Sequence, residues 1–96
     1  MDKRKRLIKK MKTLIKEIES AKSKVDKESE KYLCNYQRHI ENLLFEVQNG
    51  TLSASKGKTM GVSRAISEFD NLAEIDDLYN AASEVDLYYK KKCVEW

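Results

Sequence analysis

Apolar residues recur at helical spacing through the first quarter of the chain. From Leu7 to Val25 they advance by four and three residues in turn, which keeps their side chains on one face of a helix. Lysines occupy the opposite face, so the pattern predicts a helix that packs its apolar stripe on another element. The stripe consists of Leu7, Met11, Leu14, Ile18, Ala21 and Val25, and Ile8 and Ile15 widen it.

Three more stripes of the same kind predict three more helices. The fourth is preceded by Asn71, and Glu74 follows three residues later, which is the pattern of a capping box at the start of the last helix. We expect helices of about 22, 20, 15 and 23 residues. The stripes are Leu33, Tyr36, Ile40, Leu43, Leu44 and Val47; Val62, Ala65, Ile66 and Phe69; and Leu72, Ile75, Leu78, Tyr79, Ala82, Val85, Tyr89 and Cys93.

The residues that interrupt helices are confined to one place. The 96 residues include no proline, and the three glycines all lie within residues 50–61, a segment rich in Gly, Ser and Lys that we call the seam. Proline costs about 3 kcal/mol inside a helix and glycine about 1 relative to alanine, so long helices are expected on both sides of the seam. We predict one all-α domain over residues 1–96, a small antiparallel four-helix bundle made of two helical hairpins, 1–49 and 62–96.

The junction between the first two helices has two interpretations. Lys22 and Lys24 suit the end of one helix, while Asp26 and Glu28 suit the start of the next, because each charge complements a helix dipole. This pattern favours a break near residues 21–29. Without the break, the first 48 residues would form one rod of about 70 Å, which would have to dimerise to cover its stripe.

Charge is unevenly distributed along the chain. The net charge is +3, but residues 1–24 hold ten Lys/Arg against three Asp/Glu, a net of +7, and residues 62–89 hold Arg64 against seven acids, a net of −6. We expect the two blocks to attract each other within the bundle. The alternatives are attraction between two copies, or a separate partner for each block.

No segment has the composition of a membrane span or a signal peptide. The chain lacks an apolar run near the roughly 18 residues that cross a bilayer, and its basic start is not followed by an uninterrupted apolar stretch. We therefore expect a protein that acts in the cytoplasm, without a transmembrane segment.

The residue types that carry chemistry are few and scattered. Cys34 and Cys93 lack CxxC spacing and His39 is the only histidine, so we expect two reduced packing thiols rather than a zinc site or a disulfide. Asp76 and Asp77 are adjacent, and neighbouring helical residues point about 100° apart, which does not suit paired ligands. We expect no catalytic residue, no metal site and no cofactor, and therefore a protein that is not an enzyme.

Two segments match known motifs only in part. Gly57-Lys58-Thr59 resembles the end of the phosphate loop GxxxxGK[ST], but Leu52 stands where the first glycine would be. Residues 61–67 resemble the turn and second helix of a helix-turn-helix, although Ile66 comes one residue early and the acids that follow would repel phosphates. Both patterns are better explained as turns.

Two surfaces are candidates for binding a partner. Large apolar residues that fall off the last stripe predict a protein-binding surface, unless the third helix or a second copy of the chain covers them. This surface comprises Leu87, Tyr88 and Trp96, together with Asp76 and Asp77. The second surface is a basic face on the first helix. We expect it to be a solvated face, the alternatives being nucleic acid, anionic lipid or an acidic protein groove. It comprises Lys3, Arg4, Lys5, Arg6, Lys9 and Lys10.

The last third of the chain, from Gly61-Val62-Ser63 through Leu87-Tyr88-Tyr89, resembles small helical accessory proteins of Gram-positive phages and mobile elements. In size, helicity and basic charge, the chain also resembles the cytoplasmic bacteriocin immunity proteins, which are four-helix bundles, but no shared motif transfers a residue role. The first resemblance implies a non-enzymatic protein that docks on a host or element protein and modulates or inhibits it. The alternatives are an immunity protein, and a small DNA-binding regulator that uses the basic first helix or residues 61–67. A homodimer also stays open.

Overall fold

The computed structural model describes the backbone of residues 3–95 and every side chain in that range except that of Asp70. Five helices form its regular structure, α1 (Lys3–Lys22), α2 (Lys27–Asn49), α3 (Val62–Ser67), α4 (Asp70–Ala73) and α5 (Asp76–Lys92). No strand occurs in the described range, so the predicted all-α class is confirmed. None of the five helices combines the length and the apolar composition needed to span a bilayer.

The chain breaks between α1 and α2, as the charge pattern predicts. α1 ends at Lys22, and Asp26 then caps α2 by accepting a hydrogen bond from Ser29 N at 3.1 Å. This bond satisfies one of the backbone N–H groups that have no intrahelical partner in the first turn of a helix. The longest dimension is 39 Å, which excludes the alternative of one rod of about 70 Å.

α1 packs against both α2 and α5 and is antiparallel to each. Gln37 Nε2 donates to Glu19 Oε1 at 2.7 Å, which joins α2 to the last turns of α1. At the opposite end, Lys3 Nζ donates to the Glu95 carbonyl at 2.8 Å, just beyond α5. α3 packs on α5 and is also held by α2, so the short helices close the remaining side of the bundle.

The predicted apolar stripes form the core. Burying a large apolar side chain contributes about 1.5–3 kcal/mol, so the four large side chains of α1 that are fully buried, Leu7, Met11, Leu14 and Ile18, bind this helix firmly to its neighbours. The buried apolar side chains are Leu7, Met11, Leu14, Ile18, Ala21, Leu33, Tyr36, Ile40, Val47, Val62, Ile66, Leu72, Leu78, Ala81, Ala82, Val85, Tyr89 and Cys93.

Two residues expected in the core are exposed. Cys34 lies at the surface of α2, and Tyr79 is 38% exposed on α5. Each follows a fully buried leucine, Leu33 or Leu78. Neighbouring helical side chains point about 100° apart, so the leucine takes the core position and the next residue turns away. The packing roles predicted for Cys34 and Tyr79 are therefore wrong, whereas Cys93 is buried as predicted.

The predicted helix boundaries after the seam are also wrong. The third helix was expected to have about 15 residues, but α3 has 6, and the last helix begins at Asp76 rather than at the Asn71 capping box. Phe69 and Ile75 have extended backbone and isolate the single turn of α4.

The core explains these two interruptions. Ile66, Leu72 and Leu78 are all fully buried and are spaced six residues apart. Six helical steps rotate a side chain by about 240°, so one straight helix would point these three residues in three different directions. The chain has to turn twice for all of them to reach the same core.

Candidate binding surfaces

A groove lies beside the outer face of α5. Tyr79 and Leu87 line it and are 38% and 51% exposed, although both are large apolar side chains. Its volume is about 300 Å³. We call it the α5 groove, and its lining residues are Thr59, Ser63, Tyr79, Ser83, Asp86, Leu87 and Lys90.

Asp86 joins α5 to the start of α3 inside this groove. Its side chain is buried, and its carboxylate accepts hydrogen bonds from Val62 N at 3.2 Å, from Ser63 N at 2.8 Å and from the Ser63 hydroxyl at 2.5 Å. The N-cap position of α3 is Gly61, which has no side chain to offer. Asp86 therefore caps α3 from another element, and both of its oxygens are engaged.

Two tyrosines of α2 donate hydrogen bonds to the backbone of α3. The Tyr36 hydroxyl donates to the Val62 carbonyl and the Tyr32 hydroxyl to the Ala65 carbonyl, each at 2.7 Å. The Tyr32 ring also stacks on Phe69, with ring centroids 4.8 Å apart. Burial, and after it the charge of Asp86, raise the pKa of the Tyr36 phenol, so this hydroxyl stays a donor.

The seam is fastened to the end of α5. Ser55 N donates to the Cys93 carbonyl at 2.7 Å and Lys56 N to the Val94 carbonyl at 3.3 Å, while the Tyr89 hydroxyl donates to the Ser53 carbonyl at 2.7 Å. The Ser55 hydroxyl also donates to the Lys90 carbonyl at 3.3 Å, and this bond satisfies a carbonyl group that the end of α5 leaves without an intrahelical partner. The seam therefore forms a wall of the α5 groove through Thr59 rather than a free loop.

Neither motif in the seam has the structure its function needs. No strand precedes Gly57 and no helix begins at Thr59, so the phosphate-loop geometry is absent from the described chain. The segment before Gly61 is not helical, and Val62 and Ile66 of α3 are buried. α3 therefore lacks the directly preceding helix that a helix-turn-helix requires.

The structure separates the predicted partner-binding residues. Leu87 is exposed in the α5 groove, but Tyr88 is half-buried and faces α1, with Lys10 Nζ 5.5 Å from its ring centroid. Asp76 and Asp77 are exposed in the first turn of α5, far along the helix from Leu87. Trp96 lies outside the described residues. The residue missed from the sequence is Tyr79, which the rotation from Leu78 could have placed at the surface.

One end of the molecule collects basic side chains from three parts of the chain. α1 begins there, α5 ends there, and the seam lies against the end of α5. We call this the basic end. It comprises Lys3, Arg4, Lys5, Arg6, Lys9 and Lys10 of α1, Lys56 and Lys58 of the seam, and Lys90, Lys91 and Lys92 in the last turn of α5.

The acidic block does not neutralise the basic end. Lys10 Nζ and Glu84 Oε2 form an ion pair at 3.0 Å between α1 and α5, but Lys5, Arg6 and Lys9 have no ion pair with any described residue. Because α1 and α5 are antiparallel, the basic start of α1 lies beside the lysines that end α5. The predicted attraction between the two blocks is therefore limited to Lys10 and Glu84 among these residues.

Neither thiol belongs to a reactive cluster. Burial raises the pKa of the Cys93 thiol, against the smaller opposing effect of Lys3 and Arg4, and Cys34 is a free thiol at the surface. Among the described residues, no three His, Cys, Asp or Glu side chains are grouped so that they could hold a metal ion.

No protein-family model matches the chain, and comparisons with curated proteins and with solved structures give no significant match.

Proposed function

We propose that this chain is a small binding protein without a catalytic role, which acts in the cytoplasm by docking on another protein and modulating it. The α5 groove is the docking surface. The observation that carries the proposal is the exposure of Tyr79 and Leu87 along one groove, while the apolar stripes around them are buried. Tyrosine is among the residues that most often dominate the affinity of protein interfaces, and an exposed leucine adds apolar surface that a partner can bury.

The elements that form the groove are joined to one another by hydrogen bonds, and this favours binding. Asp86 joins α5 to α3, and the bonds from Ser55 and Tyr89 join α5 to the seam. A partner therefore meets a surface that is already ordered, and less conformational entropy is lost on association. Thr59, Ser83 and Lys90 add polar groups beside the anchors.

The resemblance of residues 61–89 to accessory proteins of Gram-positive phages and mobile elements supports a host or element protein as the partner. That segment contains five of the seven residues that line the groove, Ser63, Tyr79, Ser83, Asp86 and Leu87.

The test is a binding measurement on variants of the groove. Affinity-tagged protein is used to isolate the partner from Gram-positive cells, and the purified pair is then titrated calorimetrically. Tyr79→Ala and Leu87→Ala should each raise Kd by about fivefold or more, which is a loss of about 1 kcal/mol.

Phe45→Ala is the matched control, because Phe45 is 66% exposed on α2, outside the groove. Its Kd should equal that of the unmodified protein. If Phe45→Ala weakens binding as much as Leu87→Ala, or if neither groove variant weakens it, the docking surface is elsewhere.

A further inference from the structure

The basic end continues along α1 as a row of lysines. Lys5, Lys9, Lys12 and Lys16 are spaced by four, three and four residues and are all exposed, so they follow one face of the helix over about 16 Å. A shallow groove of about 400 Å³ runs along them, lined also by Ile8 and Thr13 and by no acidic side chain. We call these four residues the lysine row.

The charge of the lysine row is not paired with a carboxylate of any described residue. A second groove of about 480 Å³ adjoins the row and adds Arg6 and Lys10, with Glu84 as its acidic member. Like charges held together in this way destabilise a compact fold, which an anionic ligand would relieve.

We propose that the lysine row and the basic end bind the phosphate backbone of double-stranded nucleic acid, without reading its sequence. A duplex carries one negative charge per about 1.7 Å of its axis, so a row of about 16 Å faces several phosphates at once. Lysine is a point charge with no fixed donor geometry, which suits phosphate contacts better than base recognition.

An anionic membrane fits this surface less well. A basic amphipathic helix binds a bilayer by inserting its apolar face below the headgroups. In α1 that face is Leu7, Met11, Leu14 and Ile18, and all four side chains are fully buried in the core. Insertion would require the bundle to open.

An acidic protein and a single-stranded nucleic acid also fit less well. Protein interfaces depend on apolar anchors and single strands on aromatic rings that stack with bases. No aromatic side chain is among the described residues that line the two grooves, and Tyr88, beside Lys10, is half-buried. Counterion release from a duplex needs neither kind of contact.

The experiment measures fluorescence anisotropy of a labelled duplex of about 20 base pairs while the full chain is titrated at several salt concentrations. With four to six phosphate contacts, log K should fall with log salt at a slope of about −4 to −5. Duplex DNA and duplex RNA form separate arms, and binding to either supports the proposal. Single-stranded DNA and phosphatidylserine vesicles form two further arms, and tighter binding to either of these would overturn it.

The row variant carries Gln in place of Lys5, Lys9, Lys12 and Lys16. A control variant removes the same charge from exposed positions elsewhere, with Gln at Lys24, Lys27, Lys31 and Arg38. The row variant should lose at least tenfold in affinity at low salt and lower the slope by about 3 to 4, while the control keeps most of both. Equal losses in the two variants, or no duplex binding by the unmodified chain at low salt, would refute the proposal.

The row variant changes no residue that lines the α5 groove, although Lys90 belongs to both the groove and the basic end. Leu87→Ala should leave duplex binding unchanged, so either surface can fail its test while the other passes.

Discussion

Asp86 joins α5 to α3 in the wall of the α5 groove. It accepts three hydrogen bonds from the start of α3, and without them the amides of Val62 and Ser63 would be left without partners. Asp86→Ala should lower the free energy of unfolding by about 2–3 kcal/mol, measured by urea denaturation. Asp86→Asn keeps one carbonyl acceptor and should lose less. A loss below about 0.5 kcal/mol in the alanine variant would show that the cap is unimportant.

Tyr36 gives the stability a pH dependence in the alkaline range. Burial, and then the charge of Asp86, raise its pKa above the usual value, so the folded protein keeps a proton that the unfolded chain releases. The resulting stabilisation is fully present below about pH 10 and is lost as the pH rises further.

The free energy of unfolding should therefore fall as the pH rises above about 10, and fall less steeply in Tyr36→Phe. Urea denaturation across this range measures both slopes. The pKa values of Tyr32 and Tyr89 are also raised by burial, so the variant should keep part of the dependence. Identical slopes in the two proteins would contradict the role given to Tyr36.

The exposure of some side chains can be predicted from the sequence, whereas the hydrogen-bond partners of others cannot. The exposure of Leu87 follows from its place on the helix, and the same geometry would have placed Tyr79 correctly once Leu78 was assigned to the core. The Asp86 cap could not be predicted in this way, because its partners lie 23 and 24 residues earlier and meet it only in the folded bundle.

At the scale of elements, α1 and α2 were predictable with their boundaries, whereas after the seam two helices were predicted but their boundaries, and the separate turn α4, were not. The first two helices have apolar stripes and end signals that depend only on nearby residues, including the charges around Asp26 and the Asn49-Gly50 end. The later boundaries depend on how Leu72 reaches the core between Ile66 and Leu78. The spacing of apolar residues along the chain does not reveal how these three side chains must turn to reach one core.

Gly50 tests the local signal that ends α2. Its φ is +70°, in the left-handed region, and Thr51 N donates to the Glu46 carbonyl at 2.9 Å beyond it. Gly50→Ala should cost about 1 kcal/mol in unfolding free energy, and Gly50→Asn less, because asparagine tolerates this conformation better. Thermal or urea denaturation decides the order, and an alanine variant as stable as the unmodified protein would show that the cap does not constrain α2.

At the scale of the whole molecule, the antiparallel packing of α1 and α5 concentrates positive charge at one end. Raising the salt concentration from about 0.05 to 0.5 M should therefore raise Tm by screening this repulsion. The row variant should have a higher Tm at low salt and a smaller rise than the control variant. A Tm that does not respond to salt, or responds equally in both variants, would mean that the basic end is not under electrostatic strain.

The two proposed binding surfaces are formed mainly by different elements of the fold. The lysine row follows α1, whereas the α5 groove is formed by α5, α3 and the seam. Lys90 belongs to both the basic end and the α5 groove, so a duplex and a protein partner would approach each other at this residue. The denaturation experiments on the Asp86 variants test how α3 is held beside α5. Whether the α5 groove binds a protein is tested only by detecting a partner in contact with it.

Site-specific photocrosslinking tests the central claim, docking through the α5 groove, most directly. A photoreactive phenylalanine derivative is placed at Leu87 in one variant and at Phe45 in another, and both are irradiated in Gram-positive cells that express the chain. We predict one discrete crosslinked protein from position 87 that is absent from position 45. The same products from both positions, or none from position 87, would contradict the claim.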